Sequence, residues 1–522
     1  NAKSGDILNL DFNPKSEFYL GKQISLTREQ AQKIAQQFLV KIQPDKAGAL
    51  KLKTDDSLYP SYDRNIRLYF NFTWQREVNG LAVDWDNISI GVDAYTGLIS
   101  HYTYNWNEAE LPALGEMLDR EKLQEKLIKD IGLVTCYRYE NDMYGQSSGK
   151  IIPVYQLNTA SYFVDARSGR FLDYYGRTIP NKDIRAYDKD FMPLANSAIN
   201  EPPWPTKQID PEIAKKAAQD FFVSMGYKGE IRKSGSGGGS GPGYRDEHWL
   251  YSLQDPQLDN ELQIDVNAFT GEVVGFHFNE NTNGTANLNY DQALSKAWAA
   301  VQKYDPGKID QIALNHNMYW DDNRSSYNYE FTRLVNGIPF NRDAIRVIVN
   351  SKSGEITAYN REWRPVQIEA LPKLISLDEA RAQIWSQNAL TLSYVFPRDN
   401  QYKTAGDSIP VYRLPYTEIN ACTGKPISIT NEKSEMSIPK EVWDGHWAAP
   451  ALSLLKANGL MNSKAVQADD VITRRDILKV LVAATNPSIY YGDEYNFELK
   501  LTDIPANDAD LGSFKMAVNR KI

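Results

Sequence analysis

The sequence predicts an α+β protein made by repetition, each unit one helix packed on an antiparallel β-meander. Three observations predict it. A hairpin signature of the form apolar–Asp/Asn–Ala/Ser–x–Thr/Ser–Gly occurs five times: Val92-Asp-Ala-Tyr-Thr-Gly97, Val164-Asp-Ala-Arg-Ser-Gly169, Val266-Asn-Ala-Phe-Thr-Gly271, Val349-Asn-Ser-Lys-Ser-Gly354 and Ile419-Asn-Ala-Cys-Thr-Gly424. An amphipathic helical pattern precedes each copy. Four landmarks also recur at a single offset of 257 residues: Arg76 with Arg333, Val92 with Val349, Trp106 with Trp363, and Ile152-Pro-Val-Tyr155 with Ile409-Pro-Val-Tyr412. A unit of this size buries little alone, so neighbouring copies must pack together.

The signature is a turn. Asp or Asn bonds backbone groups two residues on, and Gly accepts the positive φ that closes a bulged hairpin. The structural residues are therefore Asp93 and Gly97, Asp165 and Gly169, Asn267 and Gly271, Asn350 and Gly354, and Asn420 and Gly424. A row of metal-binding carboxylates is the rival. Three of the five copies carry Asn, and no second carboxylate keeps a fixed spacing, which disfavours it. Arg76-Glu-Val-Asn-Gly80 and Arg333-Leu-Val-Asn-Gly337 add a second hairpin type, since Asn-Gly favours the two-residue turn with both central residues at positive φ.

The elements follow in order. Ser25–Leu39 opens with a cap-like Ser/Thr and spaces Ala31, Ile34, Ala35 and Phe38 along one helical face. Asp210 caps a helix with Pro211 at its first position, running to Phe222. Similar patterns cover Arg120–Ile131, Tyr290–Val301 and Leu377–Gln387. The resulting division is 1–110, 111–180, a connector over 181–207, 208–283, 284–368, 369–432 and a tail over 433–522. The connector carries Glu201-Pro-Pro-Trp-Pro205, and the Gly/Ser run 234–243 reads as a flexible surface turn. The tail predicts a helix over Trp443–Gly459 and a second over Val471–Ala484, capped by Thr473.

Composition narrows the function. With a net charge of −9 in 522 residues and no basic stripe, the chain does not read as a nucleic-acid binder. No apolar run is long enough to span a membrane. The chain starts at Asn1 without Met or signal peptide, as a processed chain does. The two cysteines, Cys136 and Cys422, stand at non-equivalent places and predict no disulfide framework. Tyr, at 31 residues, and Trp, at 11, suit amphipathic sheets and wet binding faces. The five histidines make no zinc motif, and His101 and His277 follow turns on strands. Gly145-Gln-Ser-Ser-Gly149 lacks the strand–turn–helix context of a nucleophile elbow. Asp84 with Asp86, and Asp321 with Asp322, are the carboxylate pairs a polymer hydrolase could use, although Asp84 becomes Asn341 in the repeat. The reading is a non-enzymatic array with no catalytic residues, metal or cofactor; the alternatives are a carboxylate-based cell-wall hydrolase and a structural spacer.

The helix, the meander and the Val-Asp-Ala-x-Thr-Gly turn together resemble the PepSY superfamily, and the longer units with the Arg…Val-Asn-Gly hairpin resemble the YcdB/YcdC-type repeated domain, over about residues 24–430. The resemblance implies a cystatin-like fold, secretion or membrane attachment in bacteria, and a role in restraining or binding peptidases; the reading is a secreted cell-envelope protein of a Gram-positive-type bacterium with a peptide or a peptidase as partner. The tail resembles the S-layer homology domain through His446-Trp447-Ala448, Gly459 and Ile472-Thr-Arg-Arg-Asp476, with a second copy beginning at Leu501-Thr-Asp-Ile-Pro505. That resemblance implies a small all-α module on the cell surface that holds an anionic secondary cell-wall polysaccharide, with Trp447 and Arg474 as its contact residues.

Overall fold

A computed structural model describes residues 6–12, 25–53, 61–62, 68–141, 147–179, 184–188, 191, 198–205, 207–241, 244–253, 262–278, 287–316, 325–370, 373–387, 390–399, 403–414, 418–427, 446, 473–485, 514 and 517–518. They fall in two compact units, 1–108 with 433–522, and 109–432. Both are α+β.

In the first unit, helix α1 (Arg28–Ile42) lies on an antiparallel meander of Leu68–Val78, Leu81–Asp93 and Ile99–Asn105. Asn9–Asp11 pairs with Ile99–Asn105, and Leu50–Leu52 with Leu68–Val78. Period-two burial along Leu81–Asp93 sends Ile88, Ile90 and Val92 into the core. Ala31, Ala35 and Leu39 meet them from α1, spaced at one helical turn. Thr27 caps α1 and Gln30 completes a capping box. The tail contributes a helix over Arg474–Thr485, with Thr473 Oγ1 accepting from the Asp476 amide at 3.2 Å. The other predicted tail helix, Trp443–Gly459, lies outside the described residues, His446 aside.

In the second unit, helices α2 (Arg120–Asp130), α3 (Pro211–Ser224), α4 (Tyr290–Tyr304) and α5 (Leu377–Gln387) each precede strands, as predicted. Strands from 231–278 and 312–362 join edge to edge where Val273–Phe278 pairs with Ile356–Glu362, in one twelve-stranded sheet. The two helices beside them, α3 and α4, share one core. Residues 234–241 of the Gly/Ser run are not a flexible turn. Ile231–Gly241 is a strand, paired residue by residue with Tyr244–Leu253. Its glycines accept the extended backbone because the partner strand supplies the hydrogen bonds that side chains do not.

The units over 111–180 and 369–432 do not close on themselves. The hairpin Leu133–Asn141/Ser147–Leu157 pairs with the later motif strand Glu418–Asn420. The hairpin Thr391–Val395/Ile409–Arg413 pairs with the earlier motif strand Phe163–Asp165. Each helix stays with its own motif: Leu118 N donates to Ala166 O, and Ile375 N to Ala421 O. The hairpins are thus exchanged, Tyr412 Oη donating to Leu118 O at 3.0 Å and Tyr155 Oη to Ile375 O at 3.2 Å. The cause is a broken strand. In the first unit Leu81–Asp93 runs unbroken into its motif, whereas Ser147–Leu157 stops at Asn158. The Asn158 side chain is held by both backbone groups of Tyr187.

That tyrosine belongs to the connector, which is more than a link. Ala186, Tyr187 and Phe191 are buried against Val134, Phe340 and Val366. Ile199–Asn200 adds as a short strand to Gln367–Ile368.

Candidate functional site

All five turns have one geometry. Oδ1 of Asp93, Asp165, Asn267, Asn350 and Asn420 accepts from the amides two and three residues on, at 2.8–3.1 Å. The closing glycines lie at φ +70° to +75°. Crowding adds to conformation at Gly354, where a Cβ would meet Leu288 at 3.0 Å. Leu288 immediately precedes the Asn289 cap of α4. The third motif residue has a role the sequence does not announce. Its carbonyl accepts the amide before the helix cap, as in Ile209 N to Ala268 O at 2.9 Å and Leu288 N to Ser351 O at 2.9 Å. The turns therefore dock helices on sheets. At Asp165, burial raises the carboxyl pKa, but the Ser168 and Arg167 amides and Arg170 outweigh it and hold it below the usual carboxylate range.

The 257-residue landmarks build a second feature. Asn79-Gly80 and Asn336-Gly337 sit at positive φ, giving the predicted tight turns. Below each turn the strands slip. Gln75 pairs with Asn87 and Glu77 with Ala82, so four residues, 83–86, oppose Arg76. Thr332 pairs with Ala344 and Leu334 with Pro339, so 340–343 oppose Arg333. These bulges turn Asp86 and Asp343 beneath the arginines. Arg76 Nη1 donates to Asp86 Oδ2 at 2.8 Å and to Asn107 O at 2.7 Å. Arg333 Nη1 donates to Asp343 Oδ2 at 3.1 Å and to Arg364 O at 2.6 Å. Each guanidinium lies 4.5 Å from the ring centre of its tryptophan, Trp106 or Trp363. A lysine meets the same ring, Lys46 at 4.9 Å and Lys308 at 4.5 Å. Burial, with Arg361 nearby, lowers the pKa of the Lys308 ammonium.

The two clusters differ in one respect. Arg333 Nη2 donates to Glu201 Oε1 at 2.5 Å, and Glu201 Oε2 accepts from the Val366 amide at 2.9 Å. Glu201 N also donates to Val366 O at 3.1 Å. Trp204, three residues on, stacks on Phe269. The connector is thus bound as an extended peptide: strand pairing at Ile199–Asn200, a carboxylate on an arginine, then an aromatic anchor. No described residue accepts from Nη2 of Arg76. Its side chain is 13% exposed against 3% for Arg333. Trp85, in the bulge before Asp86, is held at φ +66°, a strained backbone for an aromatic residue.

The other predicted residues do not join these clusters. Trp447 lies outside the described residues. Arg474 is exposed at the first position of its helix. Cys136 is a buried free thiol whose pKa burial drives up, and Cys422 is also free. Asp86, one of the paired carboxylates, is the ion-pair partner of Arg76, while Asp321 and Asp322 lie outside the described residues. His101 Nε2 meets Asn71 Oδ1 at 3.0 Å. Among the described residues no group of three or more His, Cys, Asp or Glu is placed to hold a metal ion. Asp86 and Asp343 themselves keep the 257-residue offset. That recurrence is the signal that could have found them; nothing local marks Glu201.

Fold and clusters together define an α+β repeat carrying a duplicated arginine–aspartate–tryptophan centre. Two stretches, residues 1–106 and 212–363, match the family described as the YcdB, YcdC repeated domain. Both end on the tryptophan of a cluster. The matched stretches leave out residues 107–211 and everything after 363, a narrower span than the sequence resemblance covers. Among solved structures, the chain is similar to the Bacillus megaterium YpeB C-terminal domain, at 14% identity, 42% coverage of this chain, 97% of that chain, and a TM-score of 0.28. No curated protein matches. No helix among the described residues is long and apolar enough to cross a membrane.

Proposed function

We propose that this chain is a non-enzymatic, PepSY-type module that binds extended peptides or a peptidase and acts at the bacterial cell surface. One observation carries the peptide reading: the chain already holds a peptide of its own. Ile199–Glu201 is taken up by strand addition at Gln367–Ile368, with Glu201 on Arg333. Strand addition draws affinity from main-chain bonds and selectivity from side-chain sites between them. The match to the YcdB, YcdC repeated domain over both cluster-bearing stretches supports assigning this role to the repeat. The placement at the cell surface, with attachment to wall polysaccharide through Trp447 and Arg474, rests on the resemblance of the tail to the S-layer homology domain.

The test is binding without turnover. The full chain is incubated with a pool of extended peptides, and bound and free fractions are read by mass spectrometry. Selective retention of intact peptides is expected. Cleaved products that vanish on replacement of an acidic pair would replace this reading with the hydrolase.

A further inference from the structure

The connector's carboxylate occupies only one of the two arginine–tryptophan clusters. We infer that the Arg76 cluster is a receptor for a glutamate carboxylate on an extended peptide supplied from outside the cluster. This deepens the peptide-binding reading and rests on it.

The repeat serves as the template. In the later copy, Nη1 of Arg333 is spent on Asp343 and on the Arg364 carbonyl, and Nη2 takes Glu201. In the earlier copy, Nη1 of Arg76 is spent in the same way on Asp86 and on the Asn107 carbonyl. The remaining fork of Arg76 is the position that, on Arg333, holds a carboxylate. A guanidinium whose one edge is satisfied internally presents its other edge in a fixed plane, the geometry suited to carboxylate recognition. The tryptophan fixes that plane, since Trp106 stacks on Arg76 as Trp363 does on Arg333.

Charge is consistent with the assignment. Asp86 neutralises Arg76, but Lys46 adds a cation 4.9 Å from the centre of the Trp106 ring. The Lys46 partner, Glu108, is largely exposed and held at 2.6 Å, so an incoming carboxylate can compete for the same ammonium. Such an exposed pair is worth at most about 1 kcal/mol, and its rearrangement does not prohibit binding. The chemistry selects glutamate on an extended backbone, because that is what the template holds.

The experiment uses the full chain and a synthetic octapeptide of its residues 198–205, Ala-Ile-Asn-Glu-Pro-Pro-Trp-Pro, read by isothermal titration. The expected result is saturable binding, weakened roughly tenfold when the peptide's Glu becomes Gln, because a hydrogen bond to a charged group is lost. Arg76→Lys keeps the charge beside Asp86 but removes the fork, and is expected to weaken the Glu peptide several-fold while leaving the Gln peptide unaffected. Circular dichroism verifies the fold of the variant, and the Glu/Gln peptide pair tests the site on the unaltered chain. Equal affinity for Glu and Gln peptides overturns the carboxylate site and leaves the wider peptide reading standing. Failure of both octapeptides and of the whole peptide pool to bind overturns the wider reading and the site with it.

Discussion

The Arg76 and Arg333 clusters are one design in two states. The arginine, aspartate, tryptophan and four-residue bulge repeat at a constant offset. In the later copy a connector carboxylate closes the cluster and Arg364 replaces Asn107, adding a second guanidinium on Asp343 Oδ1 at 3.0 Å. The earlier copy has Asn107 there, which carries no guanidinium, and leaves its arginine more open to water. The difference teaches that the scaffold and the ligand position are separable. The bulge and turn build the arginine site from nearby sequence, whereas a segment more than a hundred residues away fills it.

The comparison can be broken first at the arginines. Removing one partner of a buried ion pair strands the other charge, at a cost of about 3–5 kcal/mol. Arg333→Met is therefore expected to cost about 3 kcal/mol, the lower end of that range, because it removes two carboxylate contacts at once: Glu201 loses its partner, while the fully buried Asp343 keeps Arg364. Arg76→Met is expected to cost less, since water can reach its cluster. Urea unfolding of both variants checks the order, and equal losses would contradict it.

The docked connector gives the next effect. Glu201→Gln keeps the shape but loses the charge on Arg333, at a cost of about 1–3 kcal/mol. Hydrogen exchange at the Val366 amide, whose acceptor is Glu201 Oε2, is expected to speed up. An unchanged exchange rate there would show that the segment is held by its strand pairing alone.

The exchanged hairpins allow a symmetric test. Tyr155→Phe and Tyr412→Phe each delete one hydrogen bond across the exchange, and each is expected to cost about 1 kcal/mol. Near-equal losses by thermal unfolding support reciprocal exchange, and a neutral Tyr412→Phe would count against it.

The smallest effect concerns the turns, where the earlier copies use Asp93 and Asp165 and the later ones Asn350 and Asn420. The carboxyl of Asp165 sits below its usual range in the folded chain. Its contribution is present above the unfolded value, near 3.9, and is lost as pH falls through the depressed folded value. Asp165→Asn is expected to keep the turn and flatten that part of the acid limb, measured as the unfolding midpoint between about pH 5 and pH 2. An acid limb identical to the parent's would remove Asp165 as its source.

What could be read in the sequence was local. Five Asx turns with their glycines, two Asn-Gly hairpins, the helix caps at Asp210 and Thr473, and the 257-residue duplication were all legible, because each is a contact between residues a few positions apart or a direct recurrence. The Gly/Ser strand Ile231–Gly241 was misread, since its composition favours a loop and only pairing with Tyr244–Leu253 makes it a strand.

The sequence by itself determined the building block, its number and its turns, since those depend on backbone preferences and the hydrophobic period of short segments. Only the tertiary structure decided which hairpin meets which motif and which arginine receives a carboxylate. Arg138 pairs with Glu418 across 280 residues, and Arg333 with Glu201 across 132. Such partners are chosen by which surfaces remain unsatisfied once the units pack, and no local pattern encodes that choice.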